Sequence, residues 1–480
     1  MKLSTLISHS AKLYSLMLRS PQASDLLASH YFRKRKYIGS NDRKFISESV
    51  FATLRMKLLS EISSSTFPVT NAFLHDILII STTVTIIHNV NYYSEIFDPA
   101  SIISKMNKQG SADFNDKMYQ ALLELEVLST DSAKQFAKTV IERLSSLDTR
   151  ARNILTKNSD LTPEQQKLLE NRYSMPLWLM KDWMDNPNQQ RKWPHACQLA
   201  DSMLFPAPLC LRVNTNMASV ESVLRSLKDM GIDCRKGDLS PFSIIVLQRT
   251  DLRQSKLFKE GVIEVQDEGS QLISICLAPE DGANVLDACA GAGGKSLHIA
   301  SLQNDSGNII ATDIELKKLK ELNKRARRSG FESIRTLLAN KKLEDNIRLE
   351  SFDSVLIDAP CSGSGTMRRS PIQKWRLNRS MISKIAKKQL RLLNDYSRYV
   401  KPGGVLLYAT CSILPMENDI VVNRFLDNNG DFSGFPVKSA MEKYNVNIEN
   451  INSSDFSVSL TPHEHNTDGF YMAKMIKKGD

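Results

Sequence analysis

The spacing of hydrophobic residues divides the chain into regions of different secondary structure. From residue 1 to about residue 156, apolar side chains recur at steps of three and four positions, as in Phe45, Ile46 and Val50. This spacing predicts an all-α region, and its first twenty residues have the pattern of an amphipathic helix. From about residue 262 onward, short apolar runs alternate with helical patterns, which predicts an α/β domain with a mostly parallel sheet.

The α/β region contains five candidate strands and three candidate helices. The strands are predicted over residues 284–288, 308–313, 334–339, 352–358 and 404–410, and the helices over 294–302, 315–329 and 380–400. A last, antiparallel strand is predicted around Tyr471. The carboxyl ends of the parallel strands should meet at one edge of the sheet, where open α/β sheets bind their ligands.

A short strand, a helix and a second short strand lie between these two regions. The strands are predicted over residues 209–214 and 243–247 and the helix over 219–230, which indicates a small α+β module. A polar stretch that begins at Lys157 separates this module from the all-α region. We therefore predict three domains, which comprise residues 1–156, 157–255 and 256–480.

The chain carries a net positive charge. Its 480 residues include 63 Lys and Arg against 53 Asp and Glu, which gives a formal net charge of +10 and a pI near 9.1. Such an excess favours a polyanionic partner, and nucleic acid is the first candidate. Basic residues concentrate between Cys361 and Lys401, where Asp395 is the single acid, and this concentration predicts a path for a phosphate backbone. The basic residues are Arg368, Arg369, Lys374, Arg376, Arg379, Lys384, Lys387, Lys388, Arg391, Arg398 and Lys401.

Neither a metal nor a membrane is expected. The seven cysteines show no CxxC spacing, and His463 and His465 lack a further ligand at metal spacing. An odd number of irregularly spaced cysteines suits a reducing compartment. The most apolar stretch, residues 72–90, is interrupted by polar side chains, so it predicts a buried helix rather than a membrane span. The first twenty residues lack an export signal, and we expect a cytoplasmic, monomeric protein.

The first strand of the α/β region leads through a glycine-rich loop into a helix. The loop comprises Cys289, Ala290, Gly291, Ala292, Gly293, Gly294 and Lys295. Glycines let a ligand approach the backbone, and the helix N-terminus offers free N–H groups, so a nucleotide-like cofactor is predicted here. A phosphate-binding P-loop needs a glycine where Cys289 stands, which counts against a nucleotide triphosphatase.

The alternative for this loop is the S-adenosylmethionine site of class I methyltransferases. That site predicts an acid at the end of the next strand that accepts hydrogen bonds from ribose hydroxyls, and Asp313 stands there. A second interpretation of Asp313, as a cap for the following helix, stays open.

Two cysteines follow the carboxyl ends of consecutive strands. Asp358 and Cys361 belong to the motif Asp-Ala-Pro-Cys-Ser-Gly, and Cys411 belongs to Ala-Thr-Cys-Ser. Because these strand ends lie at one sheet edge, we expect the two thiols to converge on one pocket. The cysteines at 197, 210, 234 and 276 are instead expected to be small buried side chains.

These motifs together resemble the Sun/Nop family of RNA 5-methylcytosine methyltransferases. The resemblance extends to Thr-Asp-Gly-Phe-Tyr at residues 467–471 and to Val-Gln-Asp-Glu-Gly-Ser-Gln at residues 265–271. Residues 41–55 resemble the NusB-like RNA-binding domain of the bacterial small-subunit ribosomal RNA member, and residues 211–215 resemble the start of an RRM-like module. The resemblance implies a Rossmann-like, class I methyltransferase domain with a mostly parallel seven-stranded sheet, preceded by those two domains.

The resemblance also implies an enzyme that transfers a methyl group from S-adenosylmethionine to carbon 5 of a cytosine in RNA, with ribosomal RNA as the expected substrate. Cys411 is then expected to add to carbon 6 of the base, and Cys361 to help release the adduct. Asp358 is expected to present a proton to cytosine N3 and to lie near the methionine part of the cofactor.

The resemblance assigns the cofactor contacts as well. The loop from Cys289 to Lys295 is expected to contact the cofactor, and Asp313 its ribose. The family has an acid that contacts the adenine at the position of Asn340, and an amide can still accept one hydrogen bond there.

Three alternatives stay open. DNA cytosine methyltransferases use the Pro-Cys cysteine as the nucleophile, which would exchange the roles of Cys361 and Cys411. In the second alternative, the substrate is transfer RNA instead of ribosomal RNA. A catalytically silent RNA-binding factor in ribosome assembly is the third, although Cys411, Asp358 and the glycine-rich loop are all intact.

Overall fold

The chain forms two compact units in a computed structural model. The model describes residues 1–64, 81–85, 120–125, 130–156, 161–185, 192–248, 250–340, 346–449 and 451–479. The helical unit comprises Met1–Pro206 together with Met367–Arg376, and the α/β unit comprises Ala207–Thr366 together with Leu377–Asp480. Most of the apolar stretch at residues 72–90 lies outside the described residues.

Eight helices of the helical unit have both ends among the described residues before residue 206. They are α1 (Leu3–Arg19), α2 (Ser24–Arg33), α3 (Ser40–Arg55), α4 (Lys57–Ser64), α5 (Thr130–Leu155), α6 (Pro163–Arg172), α7 (Leu177–Met184) and α8 (Trp193–Ser202). Helix α1 confirms the predicted amphipathic helix, because Leu6, Ile7, Tyr14 and Met17 are buried in the core of this unit. Across the described residues, every helix is too short or too polar to cross a membrane.

A ten-residue segment from the second half of the chain, Met367–Arg376, completes the helical unit. Ile372 lies in the core of this unit, and a helical turn follows at Gln373–Arg376. The Lys374 ammonium is buried and donates to the carbonyl oxygens of Arg55 and Ser174, at 2.5 and 2.6 Å. Burial lowers the pKa of Lys374 well below its ordinary value. In return, the Arg55 guanidinium donates to the Arg368 carbonyl oxygen at 2.8 and 3.0 Å.

The α/β unit begins with a small antiparallel sheet. Its strands are β1 (Leu209–Val213), β2 (Cys234–Lys236), β3 (Ser243–Val246) and β4 (Ile263–Val265), in the order β2-β3-β1-β4. Helix α9 (Val220–Asp229) packs on this sheet through its apolar side. The predicted strand–helix–strand module is thus present, with two further strands. Strand β4 lies beyond the boundary predicted at residue 256 and pairs with β1.

The large sheet contains eight strands. They are β5 (Asn284–Asp287), β6 (Asn308–Asp313), β7 (Ile334–Leu338), β8 (Phe352–Asp358), β9 (Val400–Thr410), β10 (Phe432–Gly434), β11 (Ser457–Leu460) and β12 (Phe470–Lys477). Their order is β10-β12-β9-β8-β5-β6-β7, and β11 pairs with β12. Strands β5 to β9 pair in parallel, and β12 runs antiparallel to β9. The predicted class I methyltransferase fold is confirmed, with β11 added to the expected seven strands.

Helices connect and cover these strands. They are α10 (Lys256–Lys259), α11 (Glu268–Leu277), α12 (Gly294–Leu302), α13 (Leu316–Arg328), α14 (Arg379–Ser397), α15 (Asp419–Asn428), α16 (Lys438–Lys443) and α17 (Pro462–His465). Strand β5 lies between β6 and β8, so the strand order changes direction there. Ligands bind outside the carboxyl ends of the strands at such a point. The glycine-rich loop after β5 and the cysteine motif after β8 both lie at this edge.

Candidate active site

The glycine-rich loop after β5 needs glycine at two positions. Gly291 has φ +56° and Gly293 has φ +87°, a left-handed backbone that other residues rarely adopt. A Cβ at Gly293 would also lie 2.4 Å from Cγ of Leu322 on α13. The loop therefore turns sharply and packs tightly on α13, and α12 begins directly after it, at Gly294. The free N–H groups of the first turn of α12 lie at the carboxyl edge of the sheet.

Two arginines hold the carbonyl oxygens of this loop. Arg325 on α13 donates to the Ala292 oxygen at 2.6 Å, and Arg212 on β1 donates to the Gly294 oxygen at 2.5 Å. Glu264, which is buried on β4, pairs with Arg325 at 3.0 Å and also with Arg328. These residues lie outside the predicted site, because they belong to the small sheet and to the basic helix α13. They fix the backbone on which a cofactor would rest.

Asp313 connects the glycine-rich loop to the next helix. Its Oδ2 accepts from the Gly291 N–H at 3.0 Å, and its Oδ1 accepts from the Glu315 N–H at 2.8 Å. Asp313 thus supports the glycine-rich loop, which is predicted to bind the cofactor. It does not cap α13, because its second bond is to Glu315, the residue before the helix, and α13 has no side-chain cap. Asn340 is exposed and follows β7 at the same sheet edge, because Leu338 is the parallel partner of Asp313.

Asp287, the last residue of β5, lies beneath the loop and is fully buried. Its Oδ2 accepts a hydrogen bond from the Ser296 hydroxyl at 2.6 Å. Burial raises the pKa of Asp287 to about 7. The side chain is therefore a structural support of the loop that carries a proton more readily than an exposed aspartate does.

Lys295 and Asp358 form an ion pair at the carboxyl ends of β5 and β8. The Lys295 Nζ lies 2.5 Å from Asp358 Oδ2, and only 12% of the Lys295 side chain is exposed. Burial lowers the pKa of Lys295, but the charge and hydrogen bond of Asp358 outweigh it, so the pKa lies above its ordinary value. The charges of Asp287 and Cys411 add to this rise. Lys295, which is predicted to contact the cofactor, thus pairs with Asp358, which is predicted to be catalytic.

The two candidate thiols meet. Strands β8 and β9 run in parallel with Asp358 opposite Ala409, so the turns after them lie side by side. The Sγ atoms of Cys361 and Cys411 are 3.1 Å apart. The hydrogen bond with Cys411, burial, and the charges of Cys411 and Glu417 raise the pKa of Cys361 well above its ordinary value. The raised pKa favours the neutral thiol at Cys361.

The other cysteines behave differently. Cys197, Cys210, Cys234 and Cys276 are buried, as predicted for small packing side chains. Cys289 in the glycine-rich loop is partly exposed. Burial and the charges of three nearby aspartates raise the pKa of the Cys289 thiol, which favours its neutral form.

A buried carboxylate lies behind the thiol pair. Glu417, in the 3-10 turn Pro415–Glu417, accepts hydrogen bonds from Ser362 and from Ser412, the residues that follow Cys361 and Cys411. Glu417 lies outside the residues predicted from sequence. The signal that could have identified it is an acid six positions after Cys411, close to the turn-forming Pro415.

The Thr-Asp-Gly-Phe-Tyr motif supports the Cys361 loop through its glycine. The Gly469 N–H donates to the Gly365 carbonyl oxygen at 2.9 Å, and the Gly365 N–H donates to the Cys411 carbonyl oxygen at 2.9 Å. A Cβ on Gly365 would lie 2.0 Å from the Gly469 oxygen. Two glycines are therefore required for the backbones to approach this closely.

The predicted basic path needs correction. Four of the eleven residues, Arg368, Arg369, Lys374 and Arg376, lie in the segment 367–376 of the helical unit, and Arg368 and Lys374 are buried. The side chains of Lys374 and Arg376 donate to backbone carbonyl oxygens of the same unit, and Arg368 is buried, so charge counting placed these three wrongly. The exposed basic residues that remain follow Leu377 and lie mainly on α14. They are Arg379, Lys384, Lys387, Lys388, Arg391, Arg398 and Lys401.

Comparison with known proteins gives consistent matches. Residues 274–476 match the family model of the 16S rRNA methyltransferase RsmB/F, and residues 175–253 match the ferredoxin-like domain of RsmF/B-like methyltransferases. The chain is 33% identical over 321 residues to the probable ribosomal RNA small subunit methyltransferase B of Bacillus subtilis, which covers 67% of this chain and 70% of that protein. It is 33% identical over 336 residues to the ribosomal RNA small subunit methyltransferase B of Shewanella oneidensis, which covers 68% and 72%. A solved methyltransferase homolog protein from Pyrococcus horikoshii is 27% identical, with a TM-score of 0.54 over 66% of this chain and 100% of that one.

Proposed function

We propose, because this chain belongs to the RsmB/F family of 16S rRNA methyltransferases, that it methylates carbon 5 of a cytosine in small-subunit ribosomal RNA, with S-adenosylmethionine as the methyl donor. The observation that carries this proposal is the contact of two thiols, 3.1 Å apart, beside the Lys295–Asp358 pair. Two thiols at one sheet edge suit a reaction in which one sulfur must become covalent and then leave.

The residues at the edge of the sheet fit the cofactor. Gly291 has open space where a side chain would stand, so the loop leaves room for a ligand against its backbone. Asp313 offers carboxylate oxygens for ribose hydroxyls, and the first turn of α12 offers N–H groups. Asn340, at the end of the neighbouring strand, is the candidate for the adenine contact. The bound cofactor supplies an electrophilic methyl group on its sulfonium.

Cys411 is the nucleophile in this proposal. In this proposal the Cys361 thiol stays protonated and donates a hydrogen bond to the sulfur of Cys411, which stabilises a thiolate at Cys411. The nearby Lys295 cation favours that thiolate too. The thiolate adds to carbon 6 of the cytosine, and the electron pair of the C5=C6 bond moves onto carbon 5 and toward N3, so that carbon 5 becomes able to accept a methyl group.

Asp358 and Lys295 act at the opposite side of the ring. Negative charge develops on N3 as the thiolate adds, and a proton supplied there neutralises it. In this proposal Asp358 presents the proton to N3, and the Lys295 ammonium, 2.5 Å away, offsets the negative charge left on the carboxylate. A cofactor-loop residue thereby takes part in the activation of the base.

Cys361 removes the proton from carbon 5 in the release step. The hydrogen bond with Cys411, burial and the charge of Cys411 are the main causes of the raised pKa of Cys361. Both contributions of Cys411 vanish once it has become a thioether, so the pKa falls and Cys361 loses its proton to solvent. Its thiolate takes the carbon 5 proton, the C5=C6 bond re-forms, and the C6–S bond breaks to return the Cys411 thiolate. The proton on N3 goes back to Asp358.

The RNA is expected to reach the site along the exposed basic residues of α14, whose phosphate contacts make binding depend on salt. Because the target atom lies in a base stack, the cytosine must be in a loop or be turned out of its helix. Ribosomal RNA is favoured over transfer RNA because both relatives named above act, by their names, on small-subunit ribosomal RNA.

The proposal is tested by transfer of labelled methyl groups to unmodified small-subunit ribosomal RNA and to transfer RNA. Wild type, Cys411→Ala and Cys361→Ala are compared, and denaturing gels detect covalent protein–RNA complexes. We expect Cys411→Ala to be inactive and never cross-linked, and Cys361→Ala to accumulate a trapped adduct on ribosomal RNA. Trapping by Cys411→Ala instead would exchange the two roles. Wild type that methylates neither RNA would favour the assembly-factor alternative.

A further inference from the structure

Glu417 is a fully buried acid whose side chain faces donors only. Its Oε1 accepts from the Ser362 N–H at 2.8 Å and from Gln389 Nε2 at 3.1 Å. Its Oε2 accepts from the hydroxyls of Ser362 and Ser412, at 2.5 and 2.6 Å. Four hydrogen bonds, two at each oxygen, thus satisfy the buried carboxyl group.

The same carboxylate joins the two loops that carry the thiols. Ser362 directly follows Cys361, and Ser412 directly follows Cys411. A bond between the hydroxyls of Ser364 and Ser412, 2.9 Å apart, adds to this connection. The next residue, Asn418, accepts from the Thr410 hydroxyl at 2.7 Å and donates to the Ser412 carbonyl oxygen at 2.9 Å.

Simple packing does not explain a fully buried acid here. A carboxylate removed from water costs several kcal/mol unless hydrogen bonds replace its hydration, and a well-packed apolar residue would avoid that cost. The four bonds are directional, whereas apolar contacts allow neighbouring groups to slide. The feature that these bonds fix is the position of one cysteine loop relative to the other.

We propose that Glu417 is a positioning residue that holds the Cys361 loop against the Cys411 loop and so keeps the two sulfurs in contact. The proposal deepens the proposed function and rests on it for its catalytic consequence. Glu417 itself stays behind the loops and acts through Ser362 and Ser412. Its charge also helps to keep the proton on Cys361, the thiol it faces through Ser362.

The first test measures the contact of the sulfurs directly. An azo oxidant such as diamide takes two electrons and two protons from a thiol pair, forms the S–S bond and becomes a hydrazine. The rate of Cys361–Cys411 disulfide formation, followed by peptide mapping without reductant, therefore reports how often the sulfurs meet. We expect Glu417→Gln, which keeps the size but turns one acceptor into a donor, to slow this rate at least 10-fold. Glu442→Gln, the same change at an exposed position on α16, should leave the rate unchanged.

The second test separates positioning from a general loss of structure. In Glu417→Gln we expect the kcat of methyl transfer to fall about 100-fold, the magnitude that a misplacement near 1 Å can cause, while the affinity for S-adenosylmethionine stays within 2-fold. Ser412→Ala, a milder change, should lower kcat less. Its combination with Glu417→Gln should be no worse than Glu417→Gln alone, because both remove the same connection.

The outcomes are distinct. Disulfide formation at the wild-type rate in both Glu417→Gln and Ser412→Ala overturns the proposal. Should Glu417→Gln fail to fold, slower disulfide formation in the folded Ser412→Ala supports the proposal, and an unchanged rate overturns it. Because the disulfide rate needs neither RNA nor cofactor, it decides the role of Glu417 even if wild type methylates no RNA, in which case only the proposed function fails.

Discussion

Alanine at Gly365 should separate the two cysteine loops. A Cβ there would lie 2.0 Å from the Gly469 oxygen, whereas real Cβ contacts stay beyond 3.0 Å. The backbones must therefore move apart by about 1 Å, which breaks the 2.9 Å bond from the Gly469 N–H to the Gly365 oxygen. Gly365 also donates to the Cys411 carbonyl, so the shift reaches Cys411, the proposed nucleophile. A displacement of about 1 Å can cost roughly 100-fold in rate, and we expect that loss of methyl transfer.

The assay is single-turnover transfer of labelled methyl groups to small-subunit ribosomal RNA, with S-adenosylmethionine binding measured in parallel. Gly430→Ala is the matched control, because no described heavy atom lies within 4 Å of a Cβ at that position. We expect the control to match wild type, and Gly365→Ala to bind the cofactor normally. Transfer by a folded Gly365→Ala within 3-fold of wild type would refute the argument that the glycine contact sets the position of the thiols.

Three further predictions concern charge. Because the pKa of Asp287 is raised to about 7 in the folded protein, the folded state binds this proton more tightly than the unfolded chain does. The free energy of unfolding should therefore fall by up to roughly 4 kcal/mol as pH rises from about 4 to 7. Asp287→Asn should make the free energy of unfolding, measured with urea, depend less on pH over that range. A pH dependence equal to that of wild type would contradict this prediction. Lys295→Met should lower methyl transfer about 100-fold or more and reduce the Cys411 adduct on denaturing gels, whereas full adduct formation would remove Lys295 from the activation step. Replacing Lys384, Lys388 and Arg391 by Gln should reduce the slope of log Kd for RNA against log salt by about 2, and an unchanged slope would place the RNA elsewhere.

The sequence pattern predicts most of the large sheet because its central strands each contain a short apolar run. The predicted strands at residues 308–313 and 352–358 match β6 and β8 residue for residue. Strand β2, with three residues of which only Cys234 is buried, carries no alternation that could reveal it. The meeting of Cys361 and Cys411 is predictable as well, since parallel neighbours end at one edge.

Residues whose partners are distant in sequence escape this reasoning. Lys374 looks like a solvated charge in a basic stretch, yet its side chain donates hydrogen bonds to carbonyl oxygens 200 and 319 positions earlier. Glu417 resembles an ordinary acid at a helix start, and only the register of β8 and β9 brings Ser362 to it. Arg212 belongs to the small sheet but donates to the Gly294 carbonyl oxygen of the glycine-rich loop. Local patterns predict where a chain is buried, and long-range bonds decide which polar groups are buried with it.

The inclusion of residues 367–376 in the helical unit has a consequence for synthesis on the ribosome. The chain emerges from its N-terminus, so the helical unit must wait for a segment that is made about 160 residues after Pro206. At 5–20 residues per second, this delay is roughly 8 to 30 s. During that interval the carbonyl oxygens of Arg55 and Ser174 lack the Lys374 ammonium, and the core lacks Ile372. The helical unit, although it is translated first, is completed only when the strand that precedes the Cys361 loop has already been made.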